Sequence, residues 1–61
     1  MNEEIIRIVE EKKANGITFT IVETKYEQVR HFVLLMNGVP EFHSVDLERV
    51  RNYMNIWAKS Y

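Results

Sequence analysis

Five consecutive apolar residues at positions 32–36 (Phe-Val-Leu-Leu-Met) run directly into Asn37-Gly38, and this segment constrains the fold more than any other. Asn-Gly after an apolar run is a strong signal for a two-residue β-hairpin turn. Because side chains alternate between the two faces of a strand, a strand over residues 32–36 is apolar on both faces. A chain of 61 residues covers one such face, so we expect a partner to cover the other.

Length and composition indicate one small α+β interaction domain spanning residues 1–61. The chain is 46% hydrophobic and 28% charged, with two Gly and one Pro, as expected of a chain that folds. Domains of this size have marginal cores and are commonly supplemented by disulfides, a metal or oligomerisation. The absence of cysteine excludes disulfides and thiolate metal sites, so oligomerisation suits this chain best.

Net charge and hydropathy bear on partners and location. The net charge is −1, and basic residues are spread along the chain, which gives nucleic-acid binding little support because that binding depends on clustered Lys and Arg. No apolar run reaches the roughly 20 residues that cross a bilayer. The acidic start is not that of a signal peptide. We therefore expect a cytoplasmic protein without a membrane partner.

Apolar spacing predicts a first helix over residues 3–14. Four residues follow the i, i+3, i+4, i+7 spacing of a helix face: Ile5, Ile8, Val9 and Lys12. Asn2 is the predicted N-cap, and Asn15-Gly16 is the predicted C-cap, with Gly16 in the left-handed conformation.

Three strands and a second helix are predicted to follow. The strands cover residues 17–24, 29–36 and 39–43, and Pro40 places the third at an edge because proline has no amide donor. Ser44 is predicted to cap a helix over residues 45–60, whose apolar stripe consists of Leu47, Val50, Met54, Trp57 and Tyr61. The predicted fold is α+β: an α-β-β-β-α domain with a three-stranded antiparallel meander and both helices on one face.

The first hairpin has a predicted register. A turn at Tyr26-Glu27 places Glu23 opposite Arg30, a favourable cross-strand pair. The predicted core face consists of Ile17, Phe19, Ile21, Phe32, Leu34 and Met36. The other face consists of Thr18, Thr20, Val22, Val29, His31, Val33 and Leu35. A two-residue turn at Asn37-Gly38 puts Phe42 on the open face, whereas a three-residue turn with a bulge puts it in the core.

The predicted order of elements resembles the double-stranded-RNA-binding domain, as topology over the whole chain. Members of that family typically bind RNA with a lysine cluster at the start of the last helix and a Gly-Pro/His loop between the first two strands. Here residues 44–48 read Ser-Val-Asp-Leu-Glu, and residues 25–28 read Lys-Tyr-Glu-Gln. The resemblance implies a fold, while these residues argue against RNA binding.

Few residues suggest chemistry. His43 with Glu41 and Asp46 could form part of a metal site, but catalytic zinc takes three well-placed ligands, and the two carboxylates suit an exposed strand edge and a helix N-terminus. The chain has no Ser/His/Asp arrangement and no Gly-rich phosphate loop. We expect no enzyme activity, cofactor or metal.

The functional hypothesis is a small non-catalytic protein–protein interaction module that acts as an inhibitor, adaptor or assembly factor. We expect a homodimer, and phages and mobile elements use many such proteins. The predicted interface consists of Val22, His31, Val33, Leu35 and Thr20. A secondary candidate is the outer face of the last helix, at Arg49 and Tyr53.

Two other classes of function stay open. One is a weak nucleic-acid-binding or transcription-regulating accessory protein that uses Arg30, His31, Arg49, Arg51 and Lys59. The other is an enzyme subunit or small-ligand binder.

Overall fold

A computed structural model describes residues 4–60 as a four-stranded antiparallel sheet followed by one helix. The elements are β1 (Glu4–Ala14), β2 (Ile17–Tyr26), β3 (Val29–Met36), β4 (Val39–Ser44) and α1 (Leu47–Ser60). The strands lie in the order β1-β2-β3-β4. The predicted α+β class is confirmed, as is the edge position of the strand with Pro40. The α-β-β-β-α order is wrong. Asn2, Glu3 and Tyr61 lie outside the described residues.

Strand β1 replaces the predicted first helix, and two β-bulges explain the error. Its pairing with β2 shifts between Ile5 and Arg7 and again between Ile8 and Glu10. Each bulge adds one residue, so the side-chain period changes locally from two to three. Ile5 and Ile8 therefore share a sheet face at a spacing of three, which imitates a helix. The β-branched residues in this segment favour a strand, and without the first helix the resemblance to the RNA-binding domain is lost.

Three two-residue turns connect the strands. Asn15-Gly16 has φ angles of 52° and 80°, Glu27-Gln28 of 50° and 69°, and Asn37-Gly38 of 52° and 84°. Positive φ at both central positions defines the type I′ turn, which matches the twist of antiparallel strands. The C-cap predicted at Asn15-Gly16 is wrong, although helix C-caps and type I′ turns share the left-handed conformation.

The β2–β3 turn lies one residue later than predicted, at Glu27-Gln28, so Glu23 pairs with Phe32 instead of Arg30. This shifts the register by two residues, and an even shift keeps every side chain on its predicted face. Arg30 still reaches the Glu23 carboxylate diagonally, at 3.4 Å, and Arg7 on β1 approaches it at 2.7 Å.

The hydrophobic core lies between α1 and one face of the sheet. Five side chains in it are fully buried: Phe19, Ile21, Leu34, Val50 and Met54. Leu47 and Trp57 pack at its margin, so four residues of the predicted helix stripe face the sheet as expected.

Helix α1 begins two residues later than predicted. The Asp46 carboxylate accepts a hydrogen bond from the backbone N–H of Glu48 at 3.0 Å, which makes Asp46 the N-cap. The Ser44 hydroxyl accepts from the backbone N–H of Asp46 instead. Within residues 4–60, no helix has the length and apolarity needed to cross a membrane.

Candidate functional site

The sheet face opposite α1, here called the open face, is built from rows of residues paired across the strands. Two of these rows run through all four strands and a third runs through β1, β2 and β3, with the central row between the other two. The central row consists of Ile8, Val22, Val33 and His43. The flanking rows consist of Ile5, Thr24 and His31, and of Glu11, Thr20, Leu35 and Pro40. Among residues 4–60, no helix or strand lies over this face.

The structure brings all five residues of the predicted interface onto this face. Val22 and Val33 are 4% and 9% exposed, because their neighbours in the sheet enclose them. Thr20, His31 and Leu35 are half-buried. The apolar centre of the open face is therefore largely shielded from solvent by its neighbours in the sheet. The more exposed apolar side chains of this face lie away from its centre.

The most exposed apolar side chains of the open face belong to β1. Ile5 and Ile8 are each 63% exposed. The predicted interface did not include Ile5 and Ile8, because the predicted helix over residues 3–14 placed them outside the sheet. Four of the five residues from Ile5 to Val9 are β-branched, which was the signal for a strand.

A groove of about 630 Å³ lies at the opposite side of the open face, along β3 and β4. Its lining consists of Tyr26, His31, Val33, Pro40, Glu41, Phe42 and His43. The two imidazole rings lie edge to face, with centroids 6.3 Å apart. The groove is thus partly aromatic and partly polar, and it borders the apolar centre at Val33.

The metal site considered around His43 does not assemble. Within the described part of the chain, no three His, Cys, Asp or Glu side chains come together as metal ligands. Asp46 is occupied as the N-cap of α1. The expectation that the protein is neither an enzyme nor a metal protein stays a prediction.

Charged side chains of the sheet lie mainly on the side of α1. The central and flanking rows contain one charged residue, Glu11, and Lys13 lies on the same face opposite Thr18. Under α1, Glu10 accepts from Arg51 at 2.8 Å, and Lys12 donates to Asn55 at 3.1 Å. These polar links attach the helix to β1 and leave the open face poor in charge.

The predicted secondary site separates into one packed residue and one exposed residue. Tyr53 is half-buried and its ring stacks on Phe42, with centroids 4.1 Å apart and planes 5° apart. Phe42 faces the core because β4 has a bulge between Pro40 and Phe42. Neither predicted alternative holds as stated: the turn at Asn37-Gly38 has two residues, yet Phe42 lies against the core, because the bulge is within β4 and not in the turn. Arg49 is exposed on α1.

The cations proposed for nucleic-acid binding do not form one surface. Arg30 pairs with Glu23, and Arg51 pairs with Glu10 and Glu48. Two hydrogen bonds raise the pKa of Arg51 above its usual value. The bond to Glu10 has the larger effect, and the bond to Glu48 has the smaller one. His31 lies on the open face, whereas Arg49 and Lys59 belong to α1 on the other side of the sheet.

No protein-family model, curated protein or solved structure matches this chain.

Proposed function

We propose that this protein is a small non-catalytic protein–protein interaction module that forms a homodimer through its open face. The observation that carries the proposal is a sheet face whose central row is apolar except for His43 and which has no described element over it. Where one face of an antiparallel sheet is exposed to solvent, the residues on that face are normally polar. Contiguous apolar patches on small soluble proteins usually mark contact sites.

The sheet edges support this choice because both are unsuited to pairing with another strand. β1 has two bulges and four consecutive charged residues at positions 10–13. β4 has Pro40 and a bulge beside it. Bulges, charges and proline are the devices that keep edge strands from adding a further strand.

The outer surface of α1 is a poorer candidate because it is mostly polar. Its exposed residues are Glu48, Arg49, Asn52, Asn55, Ile56 and Lys59. Single exposed apolar side chains such as Ile56 are normal on a protein surface. The open face therefore remains the surface best suited to a protein partner.

The biological role and location belong to the proposal. A module of this kind acts as an inhibitor, adaptor or assembly factor by occupying another protein's surface. A phage or mobile-element origin and a cytoplasmic location also remain proposals. The runner-up, a nucleic-acid-binding accessory protein, gains no support from cations that are paired with carboxylates or split between two sides of the sheet.

The test is the effect of Ile8→Lys on self-association. Ile8 suits it because it is 63% exposed, so a lysine there can keep its ammonium group in water in the free protomer. Val33 is only 9% exposed, so a lysine at this position would disturb folding as well as binding. Ile56→Lys is the matched control, since Ile56 is 65% exposed on α1.

Sedimentation velocity over a concentration series then separates the outcomes. Full burial of an isoleucine contributes about 1.5–3 kcal/mol, and about two thirds of that remains to be gained at Ile8, which is 63% exposed. Because a two-fold dimer contains two copies, Ile8→Lys should weaken association at least about 25-fold. Ile56→Lys should leave it unchanged. A monomeric parent at every concentration would overturn the homodimer, and equal weakening by both substitutions would overturn the assignment to the open face.

A further inference from the structure

We propose that, in the homodimer, Ile5 and Ile8 of each protomer fill the β3–β4 groove of its partner. This inference rests on the homodimer proposed above and specifies which residues meet. The open face carries its two most exposed apolar groups, Ile5 and Ile8, on one edge strand and its groove beside the other. A surface with a protrusion and a recess on opposite sides is complementary to a second copy of itself.

The central row shows how two copies match. A two-fold axis that runs parallel to the strands, between β2 and β3, places β1 of one protomer over β4 of the other. Each residue of the row keeps its level along the strands, so Ile8 meets the second copy's His43, and Val22 meets its Val33. Every contact then occurs twice, as a two-fold interface requires.

The neighbouring row supports the same arrangement. Ile5 lies level with Thr24 and His31, so the same axis carries Ile5 toward the end of the groove near His31. The groove of about 630 Å³ has room for both isoleucine side chains. Their burial would remove the two most exposed apolar groups of the open face from water.

The charges and the area of the open face are compatible with a second copy of the chain as its partner. Among residues 4–60, three charged residues belong to the open face or its groove: Glu11 and Lys13, which have opposite signs, and Glu41, which lines the groove. The longer molecular dimensions, 35 × 19 Å, limit the plan area of the face to about 660 Å². Two such faces therefore bury at most about 1,300 Å², which lies near the lower end of the range for standard specific interfaces.

A second two-fold arrangement, with the axis across the strands, is less favourable. It places β1 over β1 and β4 over β4. The exposed isoleucines would then meet each other, and the two grooves would face each other with nothing to fill them. Poor packing of this kind forfeits dispersion contacts, so the first arrangement is the one that the shape of the face supports.

Cysteine cross-linking tests the arrangement directly, because the chain contains no cysteine of its own. Ile8→Cys and His43→Cys are made as separate proteins, one with a tag that changes its mass. Both positions are exposed, so the substitutions should leave the fold intact. A short bismaleimide is the suitable linker, since packed sheets lie about 10 Å apart, whereas disulfides join Cα atoms about 4.4–6.8 Å apart.

The mixed proteins should give a cross-linked heterodimer, and each protein alone should not. Adjacent strands lie about 4.8 Å apart, so equivalent cysteines on the two copies are offset by about three strand spacings. Ile56→Cys mixed with His43→Cys is the control that should give no product. Sedimentation of the same proteins establishes whether the dimer is present.

The outcomes distinguish the arrangement from the homodimer itself. A dimer in sedimentation that cross-links through Ile8→Cys alone would overturn the arrangement in favour of β1 over β1. A dimer that gives no cross-link in the mixture would also overturn it while leaving the proposed homodimer standing. A parent protein that stays monomeric would remove both proposals.

Discussion

Replacing Glu27-Gln28 with Asn-Gly should stabilise this protein. Of the three type I′ turns in residues 4–60, this one is built without asparagine or glycine. Glu27 and Gln28 nevertheless have φ angles of 50° and 69°. Both side chains are exposed, so the substitution changes the turn and little else. The other two turns already contain the proposed dipeptide in the same conformation, which makes them internal references.

The expected gain is about 1 kcal/mol. A non-glycine residue in the left-handed region costs about 1–2 kcal/mol, and glycine returns about 0.5–1 kcal/mol of that through its greater freedom in the unfolded chain. Gln28→Gly should therefore gain about 0.5–1 kcal/mol, and Glu27→Asn adds a smaller amount because asparagine tolerates positive φ. At about 2.1 cal/mol/K per residue, 61 residues convert 1 kcal/mol into about 8 °C in Tm.

Thermal unfolding followed by circular dichroism measures this gain. Parent and variant must be compared at one protein concentration, because self-association makes Tm depend on concentration. Gly38→Ala is the converse control: φ is 84° there and a Cβ would meet no atom within 4 Å, so the loss of stability reports conformation alone. A Glu27→Asn/Gln28→Gly protein that melts at or below the parent's Tm would refute the reasoning.

Two predictions concern the core. Leu34→Ala should lower the free energy of unfolding by about 2–5 kcal/mol in urea denaturation, because Leu34 is fully buried. That is a large part of the roughly 3–9 kcal/mol expected for 61 residues, and an unchanged midpoint would contradict the core assignment. A double-mutant cycle of Phe42→Ala and Tyr53→Ala should give a coupling energy of about 0.5–1.5 kcal/mol, since the rings stack at 4.1 Å; additive effects would show that the stack does not form.

The local sequence determined two of the turns, the two central strands and the edge position of the strand with Pro40. The left-handed residues at Asn15-Gly16 and Asn37-Gly38 were predictable because positive φ is a property of the dipeptide. The strands near residues 17–24 and 29–36 followed from alternation and apolar runs, and their two faces were predicted correctly despite the shifted register. Pro40 indicated an edge strand because it lacks a donor.

The tertiary structure decided where the β-bulges lie and which sheet face the residues beside them occupy. Whether an extra residue enters a strand is settled by the partner strand it pairs with, so the sequence of β1 alone reads as a helix over residues 3–14. The same physics placed Phe42 in the core through a bulge in β4. The candidate site depends on the bulges of β1, because Ile5 and Ile8 join the open face only when β1 is a bulged strand paired with β2. A strand's pairing is a long-range property, and side-chain spacing along one segment does not contain it.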